Sequence, residues 1–192
     1  MPGPSAESGP LRLFFALVPD RRSLVLLRRL QRRLLPIELR QVRPESLHLT
    51  LLFLGSCTAV AVQALCRAAA GLSTPALLPL ELEARDWLLL PSAARPRVVA
   101  LRVADDRRLR AMHAELLPLL AVAGGGDGSD DAFLPHVTLA RIGRAAFHEP
   151  PVALPRPRLR FSRLGLFVSE RSDAGSHYRA LWTSSGQASG QT

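Results

Sequence analysis

Residues 47–55 read "LHLTLLFLG" and residues 135–143 read "PHVTLARIG". Each is an apolar run of strand length that closes on glycine, and each opens with a histidine and a threonine two positions apart. Aligned, His48 matches His136, Thr50 matches Thr138, Leu51 matches Leu139 and Gly55 matches Gly143. A single histidine in an apolar strand is most often a hydrogen-bonded core residue, and a threonine there is good β-former chemistry. Repetition of His-x-Thr-Leu-x-x-x-Gly demands a further reason.

Strand geometry supplies one. Side chains alternate along a strand, so His48 and Thr50 project from one face of theirs, and His136 and Thr138 from one face of theirs. If two lobes pack about an approximate two-fold axis, both pairs line one cleft with an imidazole on each side. In-line cleavage of a phosphodiester needs that layout: one group takes a proton from water while another, opposite, gives a proton to the departing oxygen. Histidine suits both tasks because its ordinary pKa, about 6.5, leaves both forms accessible near neutrality. The threonine hydroxyls can donate to the non-bridging oxygens, where charge develops. No HxH, HExxH or repeated acidic pattern of a metal site accompanies the repeat, and no cofactor is expected.

Working outward, "LRLFFALVP" (11–19) predicts a strand, and Asp20 is placed to cap the helix "RRSLVLLRRLQRRLL" (21–35). Thr58 is placed to cap a helix over 59–70, and Asp105 or Asp106 one long helix, "RRLRAMHAELLPLLAVA". "LLPLELEARDWLLLP", "RVVALRV" (97–103), "LRFSRLGLFVS" and "HYRALWTS" predict strands, the last two around the turn "ERSDAGS". "GGGDGSDD" (124–131) and "EPPVALPRPR" (149–158) read as connections. Helices and strands mix without the regular alternation of a doubly wound sheet. The expected fold is therefore α+β: two lobes in a pseudo-two-fold arrangement of mainly antiparallel sheets, with outer helices and a central cleft. The unit strand, helix, histidine strand occurs twice. Residues 1–10 are expected to be disordered, 11–184 to form one bilobal domain with lobes near 11–90 and 91–184, and 185–192 to form a frayed tail.

Composition narrows the partners. The 192-residue chain is 47% hydrophobic, enough for a core, and carries a net charge of +9. Every one of its 25 basic residues is arginine. Guanidinium forks pair with phosphate and stack on bases, which fits an acidic partner such as RNA; solvated faces and biased codon usage are the plainer account. Without lysine there is no P-loop, so "GGGDGSDD" is not a nucleotide cradle of that kind. No apolar run reaches the roughly 18 residues of a membrane span, and "MPGPSAESGP" lacks the pattern of a secretory signal. The two cysteines, Cys57 and Cys66, are too few for a disulfide framework. A cytoplasmic location is expected.

At this point the sequence resembles the two-histidine (2H) phosphoesterases, defined by a pair of His-x-Thr-x motifs, and within them the RNA 2′,3′-cyclic phosphodiesterase or 2′-5′ RNA ligase branch. "RLFFALVP", "VRPESLHLTLLFLG", "RPRVVALRV", "FLPHVTLARIG" and "LGLFVSERSDAGSHYRAL" are similar to that branch and stand in its order, across roughly 11–183. The resemblance implies ATP-independent hydrolysis of RNA 2′,3′-cyclic phosphate ends to 2′-phosphomonoesters, with His48 as proton donor to the leaving 3′-oxygen and His136 as the acceptor that activates water. The symmetric motifs do not assign those two roles by themselves. Reversal of the chemistry would give a 2′-5′ linkage. "GGGDGSDD" departs from the more structured approach to the second motif that relatives carry.

The other candidates are binding residues. Arg141 replaces Phe53 between the repeats; strict alternation puts it on the face opposite His136, unless the strand ends or bulges there. The resemblance implies a place for it near the ligand. Phe14 or Phe15 could flank a base, with Phe15 chosen as the substrate contact, and Arg43 could meet phosphate. Tyr178 and Ser169 could border the cleft. His113 is expected to be exposed in mid-helix, and His148 and His177 to lie in loops without repeat partners. Asp105 and Asp106 suit caps better than acid catalysis. Rival activities are hydrolysis of linear 2′-5′ oligoadenylates or of ADP-ribose cyclic phosphate, or an RNA-binding module without turnover. Nothing demands a dimer, so a monomer is expected.

Overall fold

A computed structural model describes residues 10–34, 39–124, 133–143, 156–172 and 175–184. The chain order is β1 (Leu11–Pro19), α1 (Arg21–Arg33), β2 (Leu39–Gln41), β3 (Leu49–Cys57), α2 (Ala59–Ala70), β4 (Leu80–Leu90), β5 (Val98–Val103), α3 (Arg107–Leu116), α4 (Leu119–Ala123), β6 (His136–Ile142), β7 (Arg158–Ser172) and β8 (Gly175–Thr183), with 3-10 turns at Pro44–Ser46 and Thr74–Leu77. The expected caps are in place: Asp20 accepts from the Ser23 amide at 2.8 Å, Thr58 from Ala61 at 3.2 Å and Asp106 from Arg108 at 2.8 Å. The single helix expected after Asp106 is two, because Pro118 cannot donate an amide and α3 stops before it.

All strand pairs are antiparallel among the described residues. The fold is α+β and two-lobed. One lobe runs β3-β1-β7-β8 and the other β2-β6-β5-β4-β7. β7 serves both: Arg158–Phe161 pairs with β4, while the rest pairs with β1 and β8. A second seam is the lone bridge Leu49–Val137 between the two histidine strands. The units β1–α1–β3 and β5–α3–β6 repeat the strand, helix, histidine-strand order.

A division near residue 90 does not match this pairing. β4 belongs with β5 and β6, and β7 with both groups. The helices cross as well. Although α1 follows β1, the amide of Arg160 in β7 donates to Ser23 Oγ at 2.7 Å, and Gln31 Nε2 donates to the carbonyls of Val42 and Leu139 at 2.7 and 2.8 Å. α3 and α4 pack instead on β3. α3 is also tied to the 3-10 turn at Thr74, where Glu115 accepts from the amides of Ser73 and Thr74 and from the Thr74 hydroxyl. Burial pushes that carboxyl up, but the hydrogen bonds outweigh it and hold its pKa below the ordinary value.

The core is built on the apolar faces thus brought together. Leu13, Phe15 and Leu17 of β1, Leu27 and Leu30 of α1, and Phe161, Leu164, Leu166 and Val168 of β7 are all buried. A side chain such as Phe15 contributes about 1.5–3 kcal/mol through burial. His113, expected to be exposed, is half-buried and stacks on Phe133 with ring centroids 4.3 Å apart; burial first, then the Arg110 charge, lowers its pKa. His177 lies in β8 opposite Glu170 rather than in a loop. His148, residues 1–9 and 185–192, and all but the first residue of "GGGDGSDD" lie outside the described residues.

Candidate active site

The Leu49–Val137 bridge positions the site. Both bridge residues are fully buried, so their neighbours His48, Thr50, His136 and Thr138 lie on the other face, and all are half-buried. Antiparallel register sets His48 beside Thr138 and Thr50 beside His136. The histidines are then diagonal neighbours, for which separations run roughly 7–8 Å, somewhat less between Cβ atoms. That spacing leaves room for a phosphate between the ring edges.

Each imidazole is held the same way. His48 Nδ1–H donates to the Ser46 carbonyl at 2.7 Å, and His136 Nδ1–H to the Leu134 carbonyl at 2.7 Å. A carbonyl only accepts, so Nδ1 carries the proton and Nε2 is left to exchange one. The local sequence produces both acceptors. Pro44 starts the 3-10 turn that delivers the Ser46 carbonyl, and Pro135 keeps Leu134 extended before the second strand.

A matched β-bulge then follows each threonine. In β6, Val99 pairs with Ala140 but Ala100 pairs with Thr138, so Leu139 is an extra residue. In β3, Phe15 pairs with Leu52 but Ala16 pairs with Thr50, so Leu51 is extra in the same repeat position. Two consecutive residues are buried in each case, Leu51 with Leu52 and Leu139 with Ala140. The bulge reverses the alternation and brings the next side chains, Phe53 and Arg141, back to the face of the histidines. Both are exposed, Phe53 by 52%.

Aromatic rings wall the His48 side. Phe14 lies 4.9 Å from the His48 ring and Tyr178 meets it edge-on at 5.0 Å. Phe14 also touches Phe53, Phe167 and Tyr178, at 5.9, 5.6 and 5.1 Å. This burial lowers the His48 pKa to about 4; the Ser46 hydrogen bond works against the shift, and the nearby charges of His136 and Arg141 add to it. His48 is therefore neutral at pH 7 in the unliganded protein.

The sequence candidates sort accordingly. His48, His136, Thr50, Thr138 and Arg141 come together. Phe15 does not join them: it is fully buried in the core, and its neighbour Phe14 is the one against His48. Arg43 precedes the 3-10 turn and pairs with Glu45 at 3.6 Å. Phe53 was missed, although its alignment with Arg141 was the signal. Among the described residues no group of three metal-ligating side chains occurs, and no helix is long and apolar enough to cross a membrane.

Comparison with known proteins points to LigT-like phosphoesterases. A family model, LigT like Phosphoesterase, matches residues 18–100. E. coli LigT complexed with 3′-AMP is 26% identical with a TM-score of 0.69, covering 92% of this chain and 97% of its own. The TT0787 protein of Thermus thermophilus is 29% identical with a TM-score of 0.72, covering 90% and 96%. No curated protein sequence matches. With a paired histidine motif, a bilobal sheet and these relatives, the chain is similar to the LigT-like branch of the two-histidine phosphoesterases.

Proposed function

We propose that the protein hydrolyses RNA 2′,3′-cyclic phosphate ends to 2′-phosphomonoesters, without a metal and as a monomer. The observation that carries the reading is the pair of imidazoles across the Leu49–Val137 bridge, each with Nδ1–H tied to a carbonyl two residues back. E. coli LigT complexed with 3′-AMP, with ATP and with phosphate supports a nucleotide-type ligand.

The chemistry runs in line. His136 Nε2 takes a proton from water as its oxygen bonds to phosphorus. The P–O3′ bond breaks, and the 3′-oxygen takes the proton of His48 Nε2, leaving a 2′-phosphate and a 3′-hydroxyl. Thr50 and Thr138 donate to the non-bridging oxygens, and Arg141 adds charge where the transition state gains it. Phe53 offers an exposed ring on which a base stacks. Because His48 is neutral beforehand, its proton is taken up as the anionic phosphate enters and offsets the positive neighbours. Reversal with a 5′-hydroxyl in place of water is 2′-5′ ligation.

The test is incubation, with EDTA present, of the protein with RNA ending in a 2′,3′-cyclic phosphate, and identification of the product by phosphorus NMR. A 2′-phosphate is expected, with His48→Ala and His136→Ala each slowed by about 10²-fold or more. Activity that survives both substitutions would sink the mechanism.

A further inference from the structure

The α1 helix, about 20 Å long, presents Arg21, Arg22, Arg28, Arg29, Arg32 and Arg33 to solvent and contains no acidic residue. None of the six forms an ion pair among the described residues. The helix dipole favours Arg32 and Arg33 in the last turn, but it disfavours Arg21 and Arg22 in the first. Arg28 faces Arg32, and Arg29 faces Arg33, at the spacing where like charges repel. The apolar side of α1 is committed to the core through Leu27 and Leu30, so it is not available to enter a membrane.

A second like-charge contact links this face to the cleft. Arg40 of β2 lies directly opposite Arg141 of β6, and neither has an ion-pair partner among the described residues. Directly opposed residues share a sheet face, so Arg40 stands beside the arginine that the bulge turns toward the histidines. The next residue, Gln41, donates to the Gln31 carbonyl at 3.2 Å, which sets the last turn of α1 against the β2 edge. Guanidinium groups without an ion-pair partner among the described residues thus stand on both sides of the β2 edge, Arg141 and Arg40 on the cleft side and those of α1 on the other.

We propose that these arginines dock the phosphate backbone of the RNA strand whose end occupies the cleft. The proposal rests on the RNA-end reading above for its occupant and on charge complementarity for its place. Like charges at this density repel one another, and a polyanion relieves that repulsion.

The test replaces Arg28, Arg29, Arg32 and Arg33 together with Gln, which keeps the helix, and in a second variant makes Arg40→Gln. Two substrates are compared, a long single-stranded RNA ended by a 2′,3′-cyclic phosphate and a mononucleotide 2′,3′-cyclic phosphate. For the fourfold variant the KM for the long RNA should rise about tenfold or more at low salt, with its kcat and the mononucleotide kinetics unchanged. The dependence of log affinity on log salt should flatten by roughly 0.7 for each phosphate that is no longer neutralised. Equal behaviour of variant and wild type on the long RNA would overturn the proposal. So would an abolished affinity for anionic phospholipid vesicles with RNA binding intact. If the wild type turns over neither substrate, the activity reading fails, and fluorescence anisotropy with the same RNA still decides the docking surface by the same comparison.

Discussion

The side-chain amide of Gln31 in α1 donates a 2.8 Å hydrogen bond to the carbonyl of Leu139, the extra residue of the β6 bulge. The Val42 amide meets the same carbonyl at 2.9 Å, and Gln31 also donates to the Val42 carbonyl at 2.7 Å. A buried glutamine thereby satisfies backbone groups that the irregular strand leaves over, and fixes the bulge that turns Arg141 toward the histidines.

Replacing Gln31 with leucine keeps its volume and removes both donations. A loss of about 1–3 kcal/mol is expected in urea denaturation, because the Val42 carbonyl loses the Gln31 donor and the Leu139 carbonyl keeps only the Val42 amide. The KM for a nucleotide ligand should rise as well, since Arg141 is released. Unchanged stability would show that water replaces the amide.

Titration of His48 by NMR should give a pKa of about 4 in the free protein, and a higher value when inorganic phosphate is bound. The unfolded chain binds a proton near 6.5 that the folded chain refuses until about 4, so stability falls as pH drops through that window. The fall amounts to up to about 3 kcal/mol, and His48→Gln should remove that part of the slope. An ordinary pKa in the free protein would refute the aromatic burial as its cause.

Phe53 and Arg141 occupy matching positions but offer different chemistry. Phe53→Ala should weaken nucleotide binding by about 1–3 kcal/mol while leaving the binding of inorganic phosphate intact. Arg141→Lys should weaken both, because an ammonium reproduces neither the fork nor the plane. Isothermal titration with the two ligands separates the cases.

A Cβ on Gly165 would lie 2.5 Å from the Phe167 ring, which stacks on Phe14, which in turn packs on His48. Gly165→Ala is expected to cost about 1–3 kcal/mol and to shift the His48 imidazole resonances, although residue 165 touches neither histidine. Unshifted resonances would mean that the Phe167 ring yields without moving Phe14.

Much of this was legible in the sequence because it was written twice. The repeat gave the histidines, the threonines and the shared strand–helix–strand order, and Asp20, Thr58 and Asp106 announced their helices. Strict alternation puts Arg141 on the far face and a bulge was the stated alternative; "LTLLF" and "VTLAR" each break the period with adjacent apolar residues, which is the local mark of the bulges found in both strands. Phe14 and Phe15 could not be told apart, since β1 is buried on both faces and parity carries no signal there. The exchange of α1 and α3 between lobes depends on contacts more than a hundred residues apart, such as Gln31 with Leu139, which no local pattern records.

The continuous strand β7 gives the cleft an unusual mechanical character. A single backbone, paired on one half to β4 and on the other to β1 and β8, runs through both walls like a beam. Opening the walls would shear its ladders rather than bend a linker. Among the described residues the walls share one strand rather than a hinge, and turnover is expected to be insensitive to solvent viscosity beyond simple diffusion.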